Sequence, residues 1–208
     1  MTARFRILFA AVLLLVALPS GNVLSAEPSR PKVLVATIAA PIGPVTADYL
    51  ASVIERAEAD NAALLVIELD TPGGLDTAMR QMVQGIIQSR VPVAVYVSPS
   101  GARSASAGVL ITLAADVAAM APGTNIGAAH PVNLGGGSMD NTMSRKVEND
   151  AAAYARSLAV RSGRNADWAE SAVRESASLS GKDALERKVI DLVSPSLADL
   201  LDRVDGRT

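Results

Sequence analysis

Lys32-Val33-Leu34-Val35-Ala36-Thr37-Ile38, and then Ala63-Leu64-Leu65-Val66-Ile67-Glu68-Leu69 running into Asp70-Thr71-Pro72-Gly73-Gly74, decide the fold. Both runs are apolar and β-branched without alternation, the pattern of strands buried on both faces of a parallel sheet. Between them Thr46 to Asp60 reads as a helix, with Thr46 as its N-cap and Tyr49, Leu50, Val53 and Ile54 on one side. The order then repeats. Leu75 to Gln88 is a helix, Val93 to Val97 a strand, and small residues from Ser104 open a third helix ending near Ala115. Val117 to Met120 is a short strand, and Pro122-Gly123 turns the chain into Asn125 to Ala128. Strands alternating with helices of this length predict an α/β fold with a mainly parallel sheet. Three of the strands end in Gly-, Pro- and Ser-rich turns, at the sheet edge where open α/β folds bind ligands.

Residues 131–144 (PVNLGGGSMDNTMS) read as a mobile loop. Helix resumes near Arg145 and stops at Ser162-Gly163; a further helix covers Ala166 to Ser176, with Asn165 or Asp167 near its start. Ser178 to Val193 reads as strand, short helix and strand, and Leu197 to Val204 as a last amphipathic helix. No linker divides two domains, so residues 27–208 are expected to form one.

The first 26 residues stand apart. Arg4 and Arg6 precede an unbroken apolar run from Ile7 to Leu18, Pro19-Ser20-Gly21 breaks it, and Leu24-Ser25-Ala26 offers a small-residue cleavage site. That is the layout of a secretory signal peptide. Twelve helical residues reach roughly 18 Å, short of a ~30 Å hydrocarbon core, although an uncleaved N-terminal anchor is the alternative. The expectation is an exported, periplasmic or extracytoplasmic domain, near a membrane by association and not by a spanning segment of the mature chain.

Composition removes several chemistries. The 208 residues are 50% hydrophobic and 19% charged, which is globular. There is no cysteine, so disulfides, thiol nucleophiles and thiolate metal sites are excluded together. A single histidine, His130, excludes a histidine-rich metal site. No cofactor or metal is expected. A net charge of −2, no basic run and 3% aromatic residues argue against nucleic acid as a partner.

Ser106 stands in Ala105-Ser106-Ala107-Gly108, after a strand and at the start of a helix. Small neighbours leave its hydroxyl accessible, and a helix N-terminus offers unpaired N–H groups and a positive dipole end to a developing oxyanion. Ser104 and Ser106 could equally be helix caps. Gly73-Gly74 after the second strand lets backbone approach a substrate and aim N–H groups at it, or is an ordinary turn. An oxyanion hole from one such amide and that of Ala107 is geometrically reasonable. A serine nucleophile needs a base. His130 is one candidate. The other is one of only four lysines, and Lys146, at the head of a helix directly after the loop, is the one that can be carried into a cleft; as a solvated first-turn residue it would be inert. For it to accept a proton near pH 7, burial must lower its pKa by roughly three units from ~10.4.

Taken together, the sequence resembles the N-terminal protease domain of NfeD-type membrane-bound serine proteases, relatives of ClpP and of signal peptide peptidase A. The resemblance is carried by Leu69-Asp70-Thr71-Pro72-Gly73-Gly74-Leu75 and by Ser98-Pro99-Ser100-Gly101-Ala102-Arg103-Ser104-Ala105-Ser106-Ala107-Gly108. Met120-Ala121-Pro122-Gly123-Thr124-Asn125-Ile126-Gly127-Ala128-Ala129-His130-Pro131, Lys146-Val147-Glu148-Asn149-Asp150 and Ser162-Gly163-Arg164-Asn165 extend it over about residues 30–195. It implies a ClpP/crotonase-type fold of ββα units. It also implies Ser106 as nucleophile, Lys146 as base, oxyanion amides at Gly74 and Ala107 beside Gly73, and His130 as loop structure. It implies a homodimer that cleaves hydrophobic segments of stomatin-type membrane proteins. Longer relatives continue into a transmembrane bundle and a small β-barrel, so a short form or a truncation is expected here. Relatives often carry glycine where Lys188 stands, a turn that prefers the left-handed conformation, so the turn is expected to differ here. Two other readings suit the same scaffold: a crotonase-like acyl-CoA enzyme, and an exported scaffold that binds stomatin-like partners without cleaving them.

Overall fold

In the computed structural model, residues 31–132 and 140–206 are described. The expected signal segment, and residues 133–139 of the loop expected over 131–144, lie outside them. Five strands form a parallel sheet in the order β1 (Val33–Ala39), β2 (Leu64–Asp70), β3 (Val93–Val97), β5 (Val117–Met120) and β8 (Leu192–Val193). One sheet face carries Ile38, Ile67, Leu69, Val95, Val97 and Met120 into the main core. On that core pack α1 (Pro44–Ala59), α2 (Asp76–Gln88), α3 (Ala107–Ala114), α4 (Asn141–Arg161) and α5 (Ala166–Arg174). The other face sends Val66, Ala94, Tyr96 and Ala119 into a smaller core closed by Leu200 of α7 (Leu197–Val204). Burial on both faces explains why β2 and β3 read as continuous apolar runs. β1 departs from that expectation. It is an edge strand buried on one face only, with Val35 and Thr37 exposed.

A second sheet of three short strands joins β4 (Arg103–Ala105), β6 (Asn125–Gly127) and β7 (Ser178–Ser180), with α6 (Gly181–Glu186) following. β4 is absent from the sequence reading, which begins a helix at Ser104. Three residues cannot show a period. They are strand because they pair in parallel with Asn125–Gly127 of β6 and bridge to Thr71, whose N–H donates to Arg103 O (2.8 Å) and whose carbonyl accepts the Ala105 N–H (3.1 Å), partners distant in the chain. The succession β3, β4, α3 is the ββα unit of the expected fold.

Helix boundaries shift for local reasons. Pro44 at the first position and Gly43 as N-cap start α1 two residues before Thr46. Thr46 still caps, from inside: its Oγ1 accepts the Gly43 N–H at 2.9 Å. α4 begins at Asn141, not Arg145, because the Asp140 carboxylate accepts the N–H groups of Thr142 and Met143, both at 2.8 Å. Among the described residues no helix is long and apolar enough to cross a membrane.

Candidate active site

Asp70-Thr71-Pro72-Gly73-Gly74 leaves β2 at the C-terminal edge of the sheet. Thr71 is fully buried, and its Oγ1 accepts the Gly73 N–H at 3.1 Å. Gly73 takes φ +105°, where an L side chain is strained, and a Cβ there would lie 2.5 Å from the Ser106 Cβ and 3.0 Å from its Oγ. The Gly73 backbone is thus a floor for the Ser106 side chain. Gly74 forms a parallel bridge with Ile42: Ile42 N–H donates to Gly73 O (2.8 Å) and Leu75 N–H to Ile42 O (2.9 Å). In that geometry the Gly74 amide points away from Ile42. A Cβ on Gly74 would meet the Ile42 oxygen at 2.0 Å, so only glycine permits the bridge.

Ser106 is the hinge between β4 and α3. It has φ 53° and ψ −115°, a sparsely populated conformation for a non-glycine residue. Its N–H donates to Gly127 O (3.1 Å) and its carbonyl accepts from Val109 N–H (3.0 Å), which over-determines the strained backbone. Its hydroxyl makes no capping hydrogen bond to the helix it precedes. The capping alternative therefore fails for Ser106. It fails for Ser104 as well: that side chain is fully buried in β4 and shares a 2.9 Å hydrogen bond with the Thr112 hydroxyl. Every residue of α3 is buried, so its N-terminal amides, Ala107 first, point out of an apolar body.

Ser106, Ala107 and Gly74 open onto a cleft of about 720 Å³. Leu75, Met79, Leu110, Ala129, Val132 and Val147 make much of its wall apolar, and Lys146 of α4 lines it too. Four of the expected residues are therefore brought together, with Gly73 beneath Ser106. The exception concerns burial. Lys146 is exposed, so the described residues do not supply the burial that the sequence reading asked of it. His130 is placed elsewhere: its Nδ1 donates to Val173 O (3.0 Å), tying the strand exit to α5.

A charged group on the cleft wall was missed by the sequence reading. Arg80 of α2 pairs with Asp76 (2.9 Å) and with Asp150 of α4, and lies 4.4 Å from the centroid of the Tyr154 ring. Burial pushes the Tyr154 phenol above its ordinary range, with the Arg80 cation opposing and Asp76 adding to it, so it stays protonated and is no rival base. The available signal was spacing: Lys146, Asp150 and Tyr154 recur every four residues, one helix face. Among the described residues no cluster of three or more potential ligands could hold a metal ion.

The sequence model of the NfeD1b N-terminal domain matches residues 32–200. The chain belongs to the NfeD1b N-terminal domain family. The membrane-bound protease PH1510 of Pyrococcus horikoshii is 44% identical over 176 residues, 84% of this chain and 40% of that relative. The chain thus spans about 40% of the length of this curated relative. A solved structure described as 1510-N membrane-bound stomatin-specific protease, in a serine-to-alanine mutant, is 42% identical with a TM-score of 0.81, covering 86% of this chain and 87% of that one. A lysine-to-alanine mutant of that protease, in complex with a substrate peptide, is 40% identical with a TM-score of 0.80, covering 86% and 83%. ClpP1 from Listeria monocytogenes, at 18% identity and a TM-score of 0.64 over 80% of this chain and 94% of its own, shares the fold. This NfeD1b-family domain therefore has the ClpP-like fold that the sequence implied.

Proposed function

We propose that this domain is a serine endopeptidase with Ser106 as nucleophile and Lys146 as general base, acting on hydrophobic segments of stomatin-like, membrane-associated proteins. The observation that carries it is the Ser106 hydroxyl, free of any cap, opening with Lys146 onto one apolar cleft at the head of α3. The neutral Lys146 amine takes the Ser106 proton as Oγ attacks the peptide carbonyl carbon. The amides of Gly74 and Ala107 hold the resulting oxyanion, each such donor being worth about 2.7–4 kcal/mol in related sites. The C–N bond breaks as the Lys146 ammonium protonates the leaving amine. Lys146 then deprotonates a water that attacks the acyl-serine, releasing the acid and restoring Ser106.

The exposure of Lys146 gives the substrate a second task. An apolar segment laid between Leu75, Val132 and Val147 excludes water from the cleft that Ser106 and Lys146 line. The substrate named for the related P. horikoshii protease supports a stomatin-like protein as the target. We further propose an exported location beside the membrane that holds the substrate, and a homodimer as the working form.

The test is cleavage of a synthetic apolar peptide from a stomatin-like protein, followed by mass spectrometry. Wild type is expected to cut within the apolar stretch, and Ser106→Ala and Lys146→Ala to lose at least about 10³-fold in rate with unchanged far-UV circular dichroism. Cleavage retained in either variant would overturn the pair. A folded wild type that binds the peptide but leaves it whole would favour the non-catalytic scaffold.

A further inference from the structure

We propose that Arg80 is a positioning residue: through Asp150 it holds the half of α4 that presents Lys146 to Ser106. The proposal rests on reading Ser106 and Lys146 as the catalytic pair.

Ser106, Gly73, Gly74 and α2 form one rigid unit. Ser106 is packed on Gly73, Gly74 is bridged to Ile42, and α2 starts directly after Leu75. Lys146 belongs to a different element. The buried residues of α4 are Ala152, Ala155, Leu158 and Ala159, all in its second half. Its first half, 141–150, has no buried side chain, and the apolar Met143 and Val147 there are exposed. Hydrophobic packing cannot fix where that half lies.

Two arginines grip it instead. Arg174 of α5 reaches Asn149 (2.8 Å) and Glu148 (3.4 Å). Arg80 of α2 takes Asp150, one turn after Lys146 on the same helix face, and stacks on Tyr154 a turn further on. Asp76 holds Arg80 from its own helix at 2.9 Å. Lys146, Asp150, Arg80 and Asp76 all line the cleft, whereas Glu148, Asn149 and Arg174 do not. Arg80 thus links the unit that carries the nucleophile to the helix that carries the base, and does so on the cleft side.

Lys146 shares the lining of the cleft with Asp150 of its own helix and with Asp76 and Arg80 of α2. Arg80→Met leaves Asp76 and Asp150 without their shared cation and cuts the link between α2 and α4. Arg80→Lys keeps the charge but loses the forked contact to two carboxylates.

The experiment measures the rate of fluorophosphonate labelling of the full chain, with amide hydrogen exchange of the same proteins. Arg80→Met is expected to slow labelling about tenfold or more. Arg80→Lys, which keeps the cation, is expected to recover part of that rate. Amides of residues 143–150 are expected to exchange about tenfold faster in Arg80→Met, those of α2 and α3 unchanged. Wild-type labelling in Arg80→Met, no recovery of rate in Arg80→Lys, or unchanged exchange in α4 would each overturn the proposal. A wild type that cannot be labelled would refute the catalytic pair, and the exchange data would still decide whether Arg80 holds α4.

Discussion

A methyl group on Gly73 would sit 2.5 Å from the Ser106 Cβ, and the backbone there has φ +105°. Gly73→Ala must therefore displace the serine or twist the turn, at a strain of about 1–3 kcal/mol. The expected outcome is a rate of peptide cleavage at least about a hundredfold lower, with a unfolding midpoint shifted by no more than that strain allows. Wild-type cleavage by Gly73→Ala would show that Ser106 does not depend on this floor. At this scale two short motifs were legible as candidates: Gly73-Gly74 and Ser106-Ala107 each stand in a stretch whose composition announces it. Lys146 was legible as a residue that a loop could bring to a cleft. The partner of Ser104, eight positions away inside the next helix, was not, and neither was Arg80 with Asp150, 70 residues apart. Such pairings depend on how helices pack, which no local window of sequence encodes.

Among elements, the long ones were legible and the short ones were not. β2 and β3 are apolar but for Glu68 and Asp70 of β2, because both faces are covered, while β4 is a strand only through its parallel pairing with β6 and its bridge to Thr71. The start of α4 was misread because its cap, Asp140, belongs to a polar stretch that resembles loop. The turn after α6, expected to differ because lysine stands where relatives often carry glycine, keeps the left-handed conformation. Lys188 adopts φ 58°, the left-handed conformation expected where relatives carry glycine. A lysine there bears a penalty of about 1–2 kcal/mol, partly offset by the greater unfolded-state freedom of glycine. Lys188→Gly is thus expected to raise stability by about 0.5–1 kcal/mol in urea denaturation; a lower midpoint would contradict this account of the turn.

For the whole molecule, α3 is the axis on which site and stability meet. Its N-terminus carries Ala107 behind Ser106, and its C-terminal end is held by Arg164, whose side chain is 2% exposed. Arg164 donates to the carbonyls of Leu113 (3.1 Å) and Ala115 (2.8 Å) and pairs with Asp191 (2.6 Å), which also accepts the Ala118 N–H (2.7 Å). One side chain thus joins α3, the start of β5, the α4–α5 connection and the approach to β8. Arg164→Met leaves Asp191 without its cation and the Leu113 and Ala115 carbonyls without this donor, and is expected to cost about 3–5 kcal/mol in thermal or urea unfolding. A loss under about 1 kcal/mol would show that the carbonyls find water instead. The parallel sheet and its helices were legible from periodicity, and their likeness to ClpP from the motifs. The covering of one sheet face by α7, with β1 left half-exposed, emerged only from the packing.

The central claim is that Lys146 activates Ser106, and it is tested most directly by intact mass after incubation with a fluorophosphonate probe. Wild type is expected to gain a single adduct that maps to Ser106, while Ser106→Ala and Lys146→Ala stay unlabelled. An adduct on Ser106→Ala, labelling of Lys146→Ala at the wild-type rate, or a folded wild type that takes no label at any pH would contradict it.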